Sequence, residues 1–164
     1  MAQNTPGAGQ DGQTQGPQLR ILGQYIKDLS FESPNAPASL RDPGENPNIQ
    51  IEVNVGANQI EPNIYESSIS LKVKAKSSKY VIYEVEIDYG GVFELAGFPP
   101  EVLQAILFVN CPSFLFPFIR RIIGDMTREG GFPPLWLEPI DWGRMFEERI
   151  RQSQTGQGQP APPA

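Results

Sequence analysis

Apolar residues recur at every second position through three stretches of the chain, and this alternation constrains the fold more than any other feature. A period of two is typical of β-strands that bury one face, because successive side chains point to opposite sides of a sheet. The alternating residues are Ile49, Ile51, Val53 and Val55; then Tyr65, Ile69, Leu71, Val73 and Ala75; then Val81, Tyr83, Val85, Ile87 and Tyr89. Gly90 and Gly91 are predicted to end the last of these strands.

A weaker alternation predicts a fourth strand, which comes first in the chain and runs from Ile21 to Phe31. Its predicted apolar face consists of Ile21, Tyr25, Leu29 and Phe31. Pro34 and Pro37 cannot continue a ladder, so residues 33–48 are predicted to form a long connection to the second strand.

The apolar spacing changes to three and four after the strands, which predicts helices. A short helix is expected from Pro100 or Glu101, and a second one is expected after Pro112 and before Gly130, with Pro117 marking a kink or boundary. Asp141 is a suitable N-cap for a last helix. The sequence therefore predicts an α+β fold, a four-stranded antiparallel sheet with helices packed on one face.

The helix predicted around residues 113–130 is apolar over more than one narrow stripe. Two interpretations follow from this width. Either a wide helix face packs on the sheet, or part of the helix forms an interface with a second subunit.

Both ends of the chain are rich in Gly, Gln and Pro, and poor in the apolar residues that stabilise folded structure. We predict disordered tails over residues 1–18 and 152–164, and one folded domain over residues 19–151. The N-terminus lacks the basic start and apolar run of a secretory signal, and no stretch approaches about 18 consecutive apolar residues. These features predict a soluble, cytoplasmic protein without direct membrane insertion.

The residue types needed for common catalytic sites are missing. The 164-residue chain has no histidine, and Cys111 is its one cysteine. These absences exclude His-based triads and Cys-rich metal sites, and no phosphate-binding glycine motif or nucleophile motif occurs. We therefore expect neither an enzyme nor a cofactor or metal site.

Acidic residues outnumber basic ones, and the formal net charge is -6. Such a charge argues against nucleic acid as a partner, since phosphates are repelled. The lysines on the polar face of the third strand are predicted to lie beside acidic residues of the fourth, as cross-strand charge pairs prefer. The remaining carboxylates either keep the protein soluble or form a docking face for a basic partner.

Several long motifs, in order, resemble the SecB family of export chaperones. They are KDLSFESPNAP at residues 27–37, GGVF at 90–93 with LAG at 95–97, NCPSFLFPFIR at 110–120, and GGFPPLWLEPIDW at 130–142. The resemblance covers residues 19–151. It implies a homotetramer, arranged as a dimer of dimers, that holds unfolded preproteins in the cytoplasm without ATP and delivers them to the SecA motor.

The resemblance also implies two sites. A client-binding groove would be formed by apolar residues of two segments: Phe31, Phe132, Leu135, Trp136, Trp142 and Phe146. A SecA-docking surface would be formed by Asp28, Glu32, Glu84 and Glu86. Three alternatives remain: a SecB-like chaperone dedicated to one client, such as a toxin-antitoxin system, a small apolar-ligand carrier, or a purely structural oligomer.

Overall fold

Four antiparallel strands form a single sheet in this computed structural model, which describes residues 16–156. The strands are β1 (Gln18–Glu32), β2 (Asn48–Glu61), β3 (Ile64–Lys76) and β4 (Val81–Ala96). Their order across the sheet is β1-β4-β3-β2, so β1 and β2 are both edge strands. The predicted fold class is confirmed. Residues 1–15 and 157–164, which hold most of the two predicted tails, lie outside the described residues.

Strand β1 departs from the predicted face pattern at Tyr25. Register shifts next to Leu22 and Lys27 mark two bulges, and each bulge moves the following side chains to the opposite face. Tyr25 pairs with Gly90 and lies on the outer face of the sheet, away from the helices. The prediction that Tyr25 shares a face with Leu29 is therefore wrong, because single-residue bulges leave no signal in an apolar alternation.

Gly90 and Gly91 do not end β4, which continues through them to Ala96. The absence of side chains lets neighbouring groups approach closely on both faces of the sheet. A Cβ on Gly90 would lie 2.9 Å from the ring of Tyr25, and one on Gly91 would lie 2.8 Å from Leu115. The two glycines therefore permit close packing inside a strand.

The helices are α1 (Ala38–Arg41), α2 (Pro100–Ala105), α3 (Cys111–Glu129) and α4 (Trp142–Thr155). A π-helical turn, Ile106–Asn110, joins α2 to α3, so the helix continues through the predicted boundary at Pro112. The helix also continues past Pro117. The prediction that Asp141 caps the last helix is confirmed, since its Oδ1 accepts a hydrogen bond from the N–H of Arg144 at 3.0 Å.

The continuous helical segment 100–129 is long and apolar enough to cross a membrane, by length and composition alone. The expectation that no such stretch exists is therefore wrong, because α2, the π turn and α3 join into one helix. The core helix of a soluble protein passes the same test, and this helix packs on the sheet.

The core lies between one face of the sheet and α3. Its fully buried side chains alternate along β3 and β4 and recur every three or four residues along α3. They are Ile69, Leu71, Val73, Val85, Phe93, Leu95, Leu115, Ile119 and Ile123. The Ser67 hydroxyl donates to the carbonyl of Leu107 at 2.9 Å and ties the π turn to β3. All helices thus lie on one side and leave the other face of the sheet open.

Candidate functional site

An apolar groove runs along β2, on the helix side of the sheet. It consists of two depressions, which share the side chains of Ile49 and Leu135. One wall is the inward face of β2, and the other is the segment 131–141 that leads from α3 to α4. The strand is at the edge of the sheet and has no helix above it here, so its isoleucines stay half exposed: Ile49 is 43% exposed and Ile51 is 46% exposed.

The segment 131–141 is held in place by contacts with α3. The backbone N–H of Leu135 donates to Thr127 Oγ1 at 2.9 Å, and Arg120 Nε donates to the carbonyl of Leu137 at 2.8 Å. The Leu137 side chain is buried in the core. The Arg120 guanidinium also lies 5.3 Å from the ring centroid of Trp136, within cation–π distance. This wall of the groove is therefore preformed.

The first depression has a volume of about 390 Å³ and lies between α1, the β2 end of the sheet and the Pro133-Pro134 turn. Tyr83 and Phe132 lie in its floor, with ring centroids 5.1 Å apart. Phe31 packs behind them, stacked on Tyr83 at 5.9 Å. Burial raises the pKa of the Tyr83 hydroxyl above its ordinary value, so the phenol stays neutral at physiological pH.

A loop closes the first depression on one side. Residues 42–47 supply Pro43 and Pro47 to its lining, and the loop is tied to the β3–β4 turn by the ion pair between Asp42 and Lys79 at 2.5 Å. The Lys79 ammonium holds the pKa of Asp42 below its ordinary value. The backbone N–H of Ser78 adds a hydrogen bond to the loop at 2.9 Å.

The second depression, of about 370 Å³, continues along β2 from Ile49 to Val53. Leu71 of β3 lies in its floor, and Trp136 and Pro139 form part of its outer wall. Its wall is open to solvent at Trp136, which is 52% exposed. A chain lying here would meet an apolar surface several residues long.

No strand of residues 16–156 pairs with the outer edge of β2, so this edge offers backbone hydrogen bonds beside the groove. Arg149 Nη1 donates to the carbonyl of Val55 at 2.9 Å, so this carbonyl points away from β3. In an antiparallel strand every second residue points the same way, and β2 pairs with β3 without a shift from Asn48 to Gln59. The N–H and C=O groups of Ile49, Ile51 and Val53 therefore also face the free edge.

The structure brings three of the six predicted groove residues together: Phe132, Leu135 and Trp136. Phe31 supports the floor from behind. Trp142 is 7% exposed and packs edge-on against Phe116 in the core, outside the groove. Phe146 lines a separate depression between α4 and the middle of β2, where it stacks on Phe108.

Several groove residues could not be predicted from the sequence, because the apolar spacing around them is explained by strand or helix packing alone or is too short to interpret. Ile49 and Ile51 fit the alternation of a strand that packs on the core, and nothing in the sequence marks β2 as an edge. Leu40 belongs to a helix of four residues, which is too short to give a periodic signal. The prolines at positions 43, 47, 133 and 134 are the available sequence signal for the groove. They mark turns beside apolar segments.

The four predicted acidic residues share the open outer face of the sheet, where β1 and β4 pair. Glu32 lies opposite Glu84, and Asp28 lies opposite Asp88. Glu84 and Glu86 form ion pairs with Lys74 and Lys72 of β3, at 2.5 and 3.4 Å, as predicted for the two neighbouring strands. Asp28 and Glu32 form no ion pair within residues 16–156, so their charge is uncompensated.

The lone thiol is unsuited to act as a nucleophile. Cys111 is fully buried, and burial raises its pKa from 9.0 to about 12. At neutral pH almost no thiolate forms. Within the described part of the chain, no group of three or more His, Cys, Asp or Glu residues is placed to hold a metal ion.

An open apolar groove beside a free strand edge is suited to bind extended polypeptide, because pockets take side chains while the edge pairs with backbone. Comparisons with known proteins agree with this class. The family model described as "Preprotein translocase subunit SecB" matches residues 12–153. The chain therefore belongs to the SecB family of protein-export chaperones, which confirms the resemblance seen in the motifs.

Individual relatives cover most of the chain. Protein-export protein SecB of Mesorhizobium japonicum is 50% identical over 138 residues, covering 84% of this chain and 83% of that protein. Protein-export protein SecB of Rhodopseudomonas palustris is 46% identical over 145 residues, covering 88% and 92%. A solved SecB-like chaperone of Mycobacterium tuberculosis, in complex with a peptide from the HigA1 antitoxin, has a TM-score of 0.63 at 17% identity. It covers 75% of this chain and 91% of that chain, and it confirms the fold.

Proposed function

We propose that this chain is an ATP-independent holdase that keeps newly made preproteins unfolded and delivers them to SecA for export. The observation that carries the proposal is the continuous apolar groove along an unpaired strand edge. The groove takes apolar side chains without specific hydrogen-bond readout, and the edge pairs with any extended backbone. A folded protein buries its apolar side chains and pairs its own backbone, so it does not bind to the groove.

Several weak contacts along one segment explain how such a surface holds a long chain. The two depressions lie side by side and share Ile49, so a single extended segment fills both at once. Each additional contact acts intramolecularly once the first has formed. Capture then competes with folding, so slowly folding precursors are the natural clients. The mechanism requires no catalytic residue, and the absence of enzyme activity stays a prediction.

The acidic outer face is the proposed docking surface for SecA. It lies on the opposite side of the sheet from the groove, so SecA and a client can bind at the same time. Asp28 and Glu32 carry uncompensated charge, whereas Lys72 and Lys74 partly neutralise Glu86 and Glu84. We therefore expect the β1 carboxylates to contribute more to the attraction of a basic partner than Glu84 does.

A second apolar surface fits the proposed cytoplasmic homotetramer. Phe118 of α3 is 48% exposed and stacks on Tyr89 at 6.3 Å. Ile26 of β1 pairs with Tyr89 of β4 and is also 48% exposed. Ile21 and Phe114 are each 42% exposed. A patch of this kind on a soluble protein marks an association surface. We assign it to contacts between copies of this chain, in agreement with the interface interpretation of the wide helix face.

The test is the refolding of a slowly folding precursor, followed with and without this protein and without ATP. The proposal predicts a stoichiometric block of refolding and a ternary complex when SecA is added. A block without SecA binding would favour a chaperone dedicated to another pathway. If a small apolar ligand saturates the groove and refolding proceeds freely, the carrier hypothesis replaces the holdase. If the protein binds neither the unfolded precursor nor a small apolar ligand, the structural oligomer is the hypothesis that remains.

A further inference from the structure

A hydroxyl group without a partner lies in the wall of the first depression. Ser39 is 1% exposed, and its Oγ makes no hydrogen bond within the described part of the chain. Its backbone N–H is bonded to the carbonyl of Asn35 at 2.9 Å, so the residue itself is fixed in place. A buried hydroxyl that bonds nothing destabilises the folded state, and such groups are rare in native proteins. This one therefore points to a ligand.

The surroundings of Ser39 restrict what kind of group would satisfy it. Apart from Ser39 and the Tyr83 phenol, the depression is lined by glycine, proline, aliphatic and aromatic side chains. Among the buried side-chain oxygen and nitrogen atoms of residues 16–156, only Ser39 Oγ has no hydrogen-bond partner. An apolar cavity with one buried, unpartnered hydroxyl is complementary to a group that is apolar along its body and polar at its tip.

The position of Ser39 below the rim indicates that a client side chain, and not the client backbone, is its partner. The rim of the depression, which includes Leu40 and Ile49, is exposed, whereas Ser39 is buried. A client backbone paired with the edge of β2 stays at the level of the rim. Only a long side chain then reaches Ser39, whose hydroxyl turns toward it by rotation about the Cα–Cβ bond.

We propose that the first depression selects a tyrosine side chain of the client and that Ser39 bonds its phenolic oxygen. This proposal rests on the proposed holdase function and deepens it. The ring packs against Tyr83 and Phe132, and the phenol both donates and accepts, so it satisfies the Ser39 hydroxyl in either orientation. A phenylalanine fills the same volume and leaves Ser39 without a partner. The depression therefore discriminates between two residues of nearly equal size.

The test uses two unfolded peptides that are identical except for one aromatic residue, tyrosine in one and phenylalanine in the other. Fluorescence anisotropy gives their affinities for the full chain, for Ser39→Ala, and for Ser153→Ala as a control on an exposed serine of α4. The wild-type protein is expected to bind the tyrosine peptide about threefold to tenfold more tightly. Ser39→Ala should abolish this preference, and Ser153→Ala should retain it.

Each other result has a distinct meaning. Equal affinity of the wild-type protein for both peptides overturns the assignment, as does a preference that survives in Ser39→Ala, while the holdase function stands in both cases. If the wild-type protein binds neither peptide, the holdase function itself fails. The wild-type comparison needs no variant, so it decides the question even if Ser39→Ala does not fold.

Discussion

The buried hydroxyl of Thr127 accepts a 2.9 Å hydrogen bond from the backbone N–H of Leu135 and so joins α3 to the wall of the groove. Thr127 is 0% exposed and donates in turn to the carbonyl of Ile123 at 2.9 Å. Leu135 lines both depressions. One side chain therefore couples the stability of the helix to the shape of the proposed client site.

Thr127→Val is expected to destabilise the protein and weaken client binding together. Valine keeps the shape of threonine but leaves the N–H of Leu135 without a partner, which costs about 1–3 kcal/mol. Urea unfolding measures the loss of stability, and anisotropy with an unfolded client measures affinity. Thr155→Val is the matched control, since Thr155 is exposed and bonds only within α4. Equal stability of the Thr127 and Thr155 variants would contradict the role of this bond.

Gly124→Ala is expected to displace Trp136 from the groove wall. A Cβ on Gly124 would lie 2.6 Å from the Trp136 ring, whose position is held by Arg120. Iodide quenching of the exposed indole should increase, and client affinity should fall. Gly143→Ala is the control, because the nearest atom to its Cβ is 3.5 Å away. Gly143 lies in the first turn of α4, so this variant is expected to change stability little and to leave binding unchanged.

Those two variants separate groove geometry from helix stability. Both add one methyl group to a glycine within a helix, but only Gly124→Ala places that group against the groove wall. An unchanged indole environment in Gly124→Ala would show that Trp136 does not pack on α3 as described.

Much of the sheet could be predicted from sequence because burial imposes a period of two. Leu71 and Val85 alternate cleanly with polar neighbours, and both are buried in the core. Tyr25 was misplaced because the bulges at Leu22 and Lys27 depend on the pairing of β1 with β4, which the local sequence does not encode. The boundary expected at Pro112 is wrong because the π turn Ile106–Asn110 runs directly into α3, so the helix continues through this proline.

The groove could be predicted only in part, for a different physical reason. Phe132, Leu135 and Trp136 were assigned to it by family resemblance. The opposite wall depends on Ile49 and Ile51, whose exposure follows from strand order, and strand order is a property of long-range pairing. Ser39 shows the same limit, because the lack of a hydrogen-bond partner is visible only in three dimensions.

Glu86→Lys is expected to weaken SecA docking and leave client holding intact. The change reverses a charge on the acidic face and places a lysine beside Lys72, which now pairs with Glu86 at 3.4 Å. At low salt the affinity for SecA should fall roughly threefold to tenfold, and the difference should shrink as salt is added. Surface binding assays measure the affinity for SecA, and refolding assays measure client holding.

The control for charge alone is Glu147→Lys, on the exposed side of α4. It makes the same change in net charge away from the outer face of the sheet, so its SecA affinity should match that of the wild type. Equal affinity of the wild type and the Glu86 variant at low salt would refute the docking surface.

Cys111 is expected to resist thiol reagents at pH 8 until the protein unfolds. Burial raises its pKa to about 12, so the reactive thiolate is scarce in the folded state. Ser113→Cys, on an exposed position of the same helix, should react quickly while Cys111 stays protected. Rapid loss of both thiols in the folded variant would contradict the burial of Cys111.

The same thiol predicts how stability depends on alkaline pH. The unfolded chain releases the proton near pH 9, whereas the folded protein keeps it to about pH 12. The unfolded state therefore binds fewer protons between these values, and the free energy of unfolding should decrease as pH rises above about 9. Cys111→Ala should remove this part of the slope in urea titrations.

Photo-crosslinking from neighbouring positions on β2 tests most directly whether unfolded clients bind in the groove. Ile51 faces the groove and Glu52 faces the opposite side of the sheet, so a benzophenone side chain at each position samples the two faces at equal distance from the strand ends. An unfolded precursor is expected to crosslink from position 51 and not from position 52, and the folded precursor is expected to crosslink from neither. Equal crosslinking from both positions, or crosslinking from position 52 alone, would contradict binding in the groove.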